Sequence, residues 1–113
     1  MPYNEHLADR ITALLDARHV AYTTKKMFGG VCFMVDDKML CGVLKNELMV
    51  RLDPAEEPEA LSRPAATRMD ESGRSMKGFI MVEEDGYDMD RDLELWLSRC
   101  LAYNPLAKSS KKK

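Results

Sequence analysis

The sequence has few of the features that usually mark an enzyme, a secreted protein or a membrane protein. Its 113 residues include two histidines, three cysteines and one tryptophan, and no cysteine lies in a CxxC or CxH spacing. An odd number of unpaired cysteines is typical of a reducing compartment, because oxidising compartments favour disulfide pairs. No apolar run reaches the length of a membrane-spanning helix, and no charged-then-apolar leader opens the chain. We therefore expect a cytoplasmic protein with no membrane partner.

Charge is nearly balanced, with 17 Lys and Arg against 19 Asp and Glu and a formal net charge of −2. Four of the lysines, Lys108 and Lys111–Lys113, lie within the last six positions, so the body of the chain is more acidic than the total suggests. Binding to the phosphates of nucleic acid needs many cations on one surface. We therefore expect nucleic-acid binding only if a local patch of cations forms.

Candidate catalytic groups are sparse. Cys32 or Cys41 with His19 could supply a nucleophile and a base, but both thiols lie inside apolar strand patterns, where burial keeps a thiol inert. His6 and His19 have no cysteine or paired acid at the spacing of a metal site. We predict a protein that is not an enzyme, with no catalytic residue, no metal site and no cofactor.

Helical periodicity occurs at both ends of the sequence. Asn4 can cap a helix that runs to about Arg18, with apolar residues at i, i+4, i+7 and i+8 from Leu7. The same period returns from Asp90 and marks a second helix that ends near Tyr103. Trp96 lies within the apolar stripe of that helix, so we predict that it is a core residue.

Short strand patterns fill the region between these helices. Gly29 and Gly30 interrupt the first of them, and we interpret the two as structural glycines, because a missing Cβ permits positive φ, a bulge or a close backbone approach. Short polar loops separate the strands into an antiparallel meander of three. The predicted strands are Val31–Val35, extended backward past the glycines to Tyr22–Met27, then Met39–Val43 and Leu48–Leu52.

The second half of the chain continues this α+β pattern. Asp53 and Pro54 have the residue types that begin a helix, and Thr67–Met69 and Met76–Val82 are strand candidates. The fold class is therefore α+β, a two-layer sandwich in the order α-β-β-β-α-β-β-α, with helices packed on a mainly antiparallel sheet. We assign a single domain to residues 1–105 and a basic, disordered tail to residues 106–113.

Two stretches of sequence carry motifs of a known family. In the first half these are Lys26-Met27-Phe28-Gly29-Gly30, the hairpin that follows, and Leu48–Asp53, and in the second half they are Met76–Glu83, Gly86-Tyr87, Trp96 and Asn104–Lys111. The first half resembles the amino-terminal domain of the TfoX/Sxy family, named for bacterial competence regulators, and the second half resembles the short stand-alone members of that family. The resemblance implies a two-layer α/β fold in the order given above and implies no catalytic residues. Longer members that regulate competence carry a further carboxy-terminal domain, so we expect this chain to correspond to the short members.

The strand that follows the glycines is apolar on both of its alternating faces. Val31, Phe33 and Val35 lie on one face, and Cys32 and Met34 lie on the other. If helices cover only one face, a partner has to cover the second, and we expect a homodimer or another protein there. Helices on both faces would explain the pattern equally well. The predicted function is a non-catalytic regulatory or protein-interaction domain, and its candidate interaction surface is Lys25, Lys26, Phe28, Cys32 and Met34.

Nucleic-acid binding is the alternative function. It requires folding to gather scattered cations onto one surface, and acidic residues are interspersed among them. The candidate contacts are Lys25, Lys26, Arg63, Arg68, Arg74 and Lys77.

Overall fold

A computed structural model describes residues 3–27, 29–71 and 74–106, and it shows an α+β fold with one six-stranded antiparallel sheet. The order of elements confirms the predicted fold class. The helices are α1 (Glu5–Ala17), α2 (Glu57–Leu61), α3 (Glu84–Tyr87) and α4 (Asp90–Tyr103), with short 3-10 turns at Pro54–Glu56 and Asn104–Leu106. The strands are β1 (Thr23–Met27), β2 (Gly30–Val35), β3 (Lys38–Leu44), β4 (Glu47–Arg51), β5 (Ala66–Glu71) and β6 (Arg74–Val82).

The two long helices form where the apolar spacing predicts them. Asn4 caps α1, since its side-chain oxygen accepts a hydrogen bond of 3.0 Å from the Leu7 backbone N–H. Leu7, Ile11 and Leu15 of α1 are buried, as are four residues on one side of α4. Those four residues are Leu93, Trp96, Leu97 and Cys100.

The strands lie in the order β1-β2-β3-β4-β6-β5. Residues that pair directly across antiparallel strands share a sheet face, so the register gives the composition of each face. On the face that carries the helices, branched and aromatic side chains from four adjacent strands pack against α1, α2 and α4 in one buried core. Two rows across β2, β3, β4 and β6 define this helix face: Val31, Val43, Leu48, Val82, and Phe33, Cys41, Val50, Ile80.

Among the described residues, the opposite face has a separate buried cluster whose members all lie in strands. We call it the sulfur face, because the five buried hydrophobic side chains described there all contain sulfur, and Leu44 and Phe79 border it. These five side chains are between 0% and 9% exposed in the single chain. Its residues are Cys32, Met34, Met39, Met49 and Met81.

Gly29 lies in the hairpin turn between β1 and β2 and Gly30 is the first residue of β2, so the prediction of a bulge at that point is wrong. β1 reverses there and pairs with β2, with Met27 opposite Gly30. Gly29 has a φ of 78°, which favours glycine, and a Cβ on Gly30 would lie 2.0 Å from the Val43 carbonyl oxygen. The close backbone approach is confirmed. The irregularity in pairing lies four residues further on, between Phe33 and Met34.

Two contacts hold the carboxy-terminal end of α4 against the β2–β3 hairpin. Lys38 donates from Nζ to the carbonyl oxygens of Asn104 and Pro105, and a cation at this position suits the negative end of the helix dipole. Asn104 donates from Nδ2 to the Val35 carbonyl oxygen. Within the described residues, no helix is long and apolar enough to cross a membrane.

Candidate interaction surface

Strand β1 lies at one edge of the sheet and pairs only with β2 among the described strands. All four residues from Thr23 to Lys26 are exposed. An edge strand has one row of backbone N–H and C=O groups without a sheet partner, and such a row can accept another strand. β1 therefore offers backbone hydrogen bonds together with accessible side chains.

The two lysines of β1 belong to different sheet faces. Lys25 lies opposite Cys32, on the sulfur face, and Lys26 lies opposite Val31, on the helix face. Successive residues of a strand alternate in this way, so adjacent positions in sequence do not make one charged patch. A segment bound along β1 would have one lysine on each of its sides.

The structure corrects the candidate interaction surface at two positions. Cys32 and Met34 are 0% and 5% exposed, so they are not part of the accessible surface of this chain. Both side chains are buried within the single chain. Lys25 and Lys26 are exposed, and Phe28 lies outside the described residues.

The structure does not gather the candidate nucleic-acid contacts into one described patch. Lys25 and Lys26 are in β1, whereas Arg68, Arg74 and Lys77 belong to β5 and β6, at the other end of the strand order. Arg63 follows α2, forms an ion pair of 3.1 Å with Glu59, and lies over the ring of Trp96. Strand order alone therefore gives no continuous row of cations.

Trp96 is the centre of a polar network that the sequence did not reveal. Its indole N–H donates to the Gly86 carbonyl oxygen at 3.1 Å, and the ring is buried, which confirms its place in the core. Arg99 lies over the same ring and donates to the carboxylates of Glu56 and Glu59 at 3.1 and 2.7 Å. The hydrogen bond from Arg99 lowers the pKa of Glu59.

A cleft of about 210 Å³ lies beside this ring, with Arg63, Asp85, Asp92 and Leu95 among its lining residues. It is smaller than the pockets of about 300–1,000 Å³ that hold most small ligands. Its lining has charges of both signs and includes Leu95, which is exposed. These features do not specify one ligand.

The three thiols are poor nucleophiles in this fold. Burial raises the pKa of Cys32 to about 11 and that of Cys100 to about 12, and burial also raises the pKa of Cys41 well above its usual value. A thiol acts as a nucleophile only as the thiolate, so these groups stay neutral and unreactive near pH 7. His19, the proposed base, is exposed just beyond α1.

Among the described residues, no three His, Cys, Asp or Glu side chains lie together in a group that could hold a metal ion. The described side chains thus include neither an activated thiol nor a carboxylate or imidazole metal site.

The sequence matches the family described as TfoX N-terminal domain over residues 14–103, and the chain belongs to that family. The match extends from the last turn of α1 to the end of α4 and so includes the whole sheet. Membership indicates a regulatory or interaction domain. Neither a curated protein nor a solved structure matches the chain.

Proposed function

We propose that this member of the TfoX N-terminal domain family is a non-catalytic interaction domain, and that a partner protein binds along the edge of β1. The observation that carries the proposal is the exposed edge strand of a chain whose two apolar sheet faces are both buried. Backbone pairing along a free edge supplies affinity, and the side chains on either side of the added strand supply specificity.

The charges on β1 define the partner that fits this edge. Lys25 and Lys26 are exposed on opposite faces, so an added strand would meet one cation on each side. Opposite charges across neighbouring strands contribute about 0.2–1 kcal/mol each, and like charges directly opposite one another are destabilising. The proposed partner is therefore an extended segment with acidic residues on both of its faces.

A homodimer through the same edge would bring lysines of two copies close together. The expectation of a homodimer rested on an uncovered apolar face, and the structure buries that face in the single chain. Pairing of two β1 strands would have to overcome the repulsion between their lysines. We therefore favour a different protein as the partner.

The proposal is tested with labelled peptide probes in a binding assay by fluorescence anisotropy. One probe repeats the sequence Val-Val-Glu-Glu, so that valine and glutamate alternate on each of its two strand faces. A second probe has lysine at every glutamate position. We expect the acidic probe to bind and Lys25→Glu with Lys26→Glu to weaken binding at least tenfold. The control has the same charge change at two exposed cations outside β1, Lys45→Glu with Arg91→Glu, and it should bind normally. Equal losses in both double variants would contradict a site on β1.

Further variants in β1 separate the other two candidate functions. A homodimer would be favoured if the wild-type chain had the molar mass of two chains at micromolar concentration. Lys25→Pro or Thr24→Pro, in a variant that still folds, should then have the molar mass of one chain. Binding to DNA or RNA that weakens steeply with salt and depends on Lys25 and Lys26 would favour the nucleic-acid function. Competence regulation is not part of the proposal.

A further inference from the structure

The cleft beside Trp96 has charges of both signs in its lining, but among the described residues only its negative charges have no partner. Arg63 already forms an ion pair of 3.1 Å with Glu59 and lies over the indole ring. Asp85 and Asp92 also line the cleft, and neither carboxylate has a hydrogen bond or an ion pair with any residue that the structure describes. The charge that is free to meet a partner in this cleft is therefore negative.

The rest of the lining is mostly apolar. Pro64, Ala65 and Ala66 contribute to it together with Trp96. Leu95 lines the cleft as well, and its side chain is 49% exposed although it is large and apolar. Lysine and arginine bury their apolar stems against such surfaces and keep the charged group in water. A cleft with an apolar wall and free carboxylates therefore matches a side chain of this kind.

The surroundings of the cleft are also acidic. Residues 83–94 include seven Asp or Glu residues and one Arg. Asp85 lines a second, neighbouring cleft, in which Glu47, Glu83 and Glu84 take part. An excess of one charge raises the local concentration of partners of the opposite charge. This side of the molecule therefore attracts cations and repels anions.

The size and the position of the cleft favour a side chain of a protein over a free small molecule. Its volume of about 210 Å³ is below the range of about 300–1,000 Å³ in which most free ligands bind. Ala66 is the first residue of β5, which lies at the other edge of the sheet from β1. Ala66 pairs with Val82 and so lies on the helix face, as α4 does. An extended segment paired with β5 would place alternate side chains on the side of the sheet where the cleft lies.

We propose that this cleft receives one lysine or arginine side chain from an extended segment of a partner protein. The stem packs against Leu95 and Trp96, and the cation binds the carboxylates of Asp85 and Asp92. This surface is separate from the edge of β1, because it lies at the opposite end of the strand order and selects a cation, not an acidic segment. It does not depend on a partner at β1.

The experiment is an NMR titration of the ¹⁵N-labelled full chain with synthetic peptides. Trp96 is the only tryptophan in the sequence, so its indole N–H gives a single signal from the lining of the cleft. The probe is Thr-Val-Thr-Lys-Thr-Val-Thr, and two matched probes have norleucine or glutamate in place of the lysine. We expect a saturable shift of the indole signal with the lysine peptide. The norleucine peptide keeps the stem but loses two ion pairs, so it should bind about tenfold more weakly. The glutamate peptide should not bind.

Matched variants test the two carboxylates. Asp85→Asn with Asp92→Asn should weaken binding of the lysine peptide about tenfold and should leave binding of the norleucine peptide unchanged. The control, Asp88→Asn with Glu94→Gln, removes the same charge at two exposed acids of the same segment that do not line the cleft. It should change the affinity by about twofold or less, because salt screens charges that are not in contact.

Other variants test the apolar wall and the independence of the two surfaces. Leu95→Ser should weaken binding of the lysine and norleucine peptides alike, whereas Met89→Ser, at another exposed apolar residue, should not. Lys25→Glu with Lys26→Glu should leave binding of the lysine peptide unchanged. The proposal for β1 and the proposal for the cleft therefore fail separately.

Several outcomes would overturn the proposal. These are the absence of a saturable shift, equal losses in the two double variants of acidic residues, and a norleucine peptide that binds as tightly as the lysine peptide. Butylammonium, which has the lysine stem without a peptide, should bind much more weakly than the lysine peptide. Equal affinity would make the cleft a site for small cations and contradict a protein partner. A shift confined to signals of β1 would place the peptide on the other surface.

Discussion

The two faces of the sheet are both buried, but their side chains differ in shape. The helix face is made of branched and aromatic residues such as Val43, Leu48 and Ile80, which pack against α1, α2 and α4. The described part of the sulfur face has one cysteine and four methionines in its buried cluster, and none of these five residues lies in a helix. Branched side chains have few rotamers and suit a fixed partner surface, whereas unbranched thioethers fill irregular space. The comparison indicates that the helix face determines the packing geometry and the sulfur face adapts to it.

The largest expected effect is on the helix face, at Trp96. Trp96→Ala would remove a buried ring and leave the Gly86 carbonyl oxygen without its indole donor. We expect a loss of about 3–5 kcal/mol in the free energy of unfolding. Urea denaturation followed by circular dichroism measures it, with Leu106→Ala, at an exposed position, as the control. A loss below about 1 kcal/mol would show that the helix face does not depend on this ring.

The next effect concerns the turn that leads into the sulfur face. In Gly30→Val the new Cβ would meet the Val43 carbonyl oxygen at 2.0 Å, so the backbone has to shift. We expect a loss of about 3 kcal/mol. Gly29→Ala is the matched control, because a Cβ there meets nothing within 4 Å and only the φ of 78° is unfavourable. It should cost about 1 kcal/mol. Equal losses would show that the close approach at residue 30 costs no more than the unfavourable φ at residue 29.

Much of this architecture is predictable from local patterns. The spacing of Leu7, Ile11 and Leu15 predicts α1, and the same spacing predicts α4, because helical period depends only on nearby residues. The two apolar faces of β2 are also visible in sequence. That pattern predicts that Cys32 and Met34 are buried, but it does not show whether the chain itself or a partner buries them.

The remaining features depend on contacts between distant residues. A hairpin turn and a bulge both need a residue without a Cβ, so Gly29 and Gly30 alone do not distinguish them. Arg99 bonds to Glu56 across 43 positions of sequence, and no local spacing marks such a pair. The edge position of β1 likewise depends on the strand order of the whole sheet.

Alkaline pH should distinguish the thiols of the two faces. In the folded chain, burial raises the pKa of Cys32 on the sulfur face to about 11 and that of Cys100 on the helix face to about 12, from a usual value of 9.0. Stability is therefore unaffected by these thiols below pH 9.0. Above it the unfolded chain ionises first, and stability falls by about 1.4 kcal/mol per pH unit for each thiol that stays neutral.

Cysteine variants separate the effect of the thiols on the pH dependence of stability from the effects of tyrosine and lysine, which titrate in the same pH range. Between pH 9 and 11, Cys32→Ala and Cys100→Ala should each lose stability less steeply with pH than the wild-type chain does. Above about pH 11 the difference in the free energy of unfolding between Cys32→Ala and the wild-type chain should stop growing, whereas the difference for Cys100→Ala should continue to grow. Denaturation curves measured at half-unit pH intervals test this. Parallel slopes in all three proteins would contradict the burial of these thiols.

The smallest expected effect is the most direct test of the difference between the faces. Leu48 and Met49 are neighbours on β4, both are completely buried, and they lie on opposite faces. Exchanges between leucine and methionine nearly conserve volume and usually cost less than about 1.5 kcal/mol. Leu48→Met should approach that value, because a flexible chain replaces a branched one against the helices. Met49→Leu should cost about 0.5 kcal/mol or less, because adaptable thioethers surround it. If Met49→Leu were the costlier change in urea denaturation, the sulfur face would be packed as specifically as the helix face.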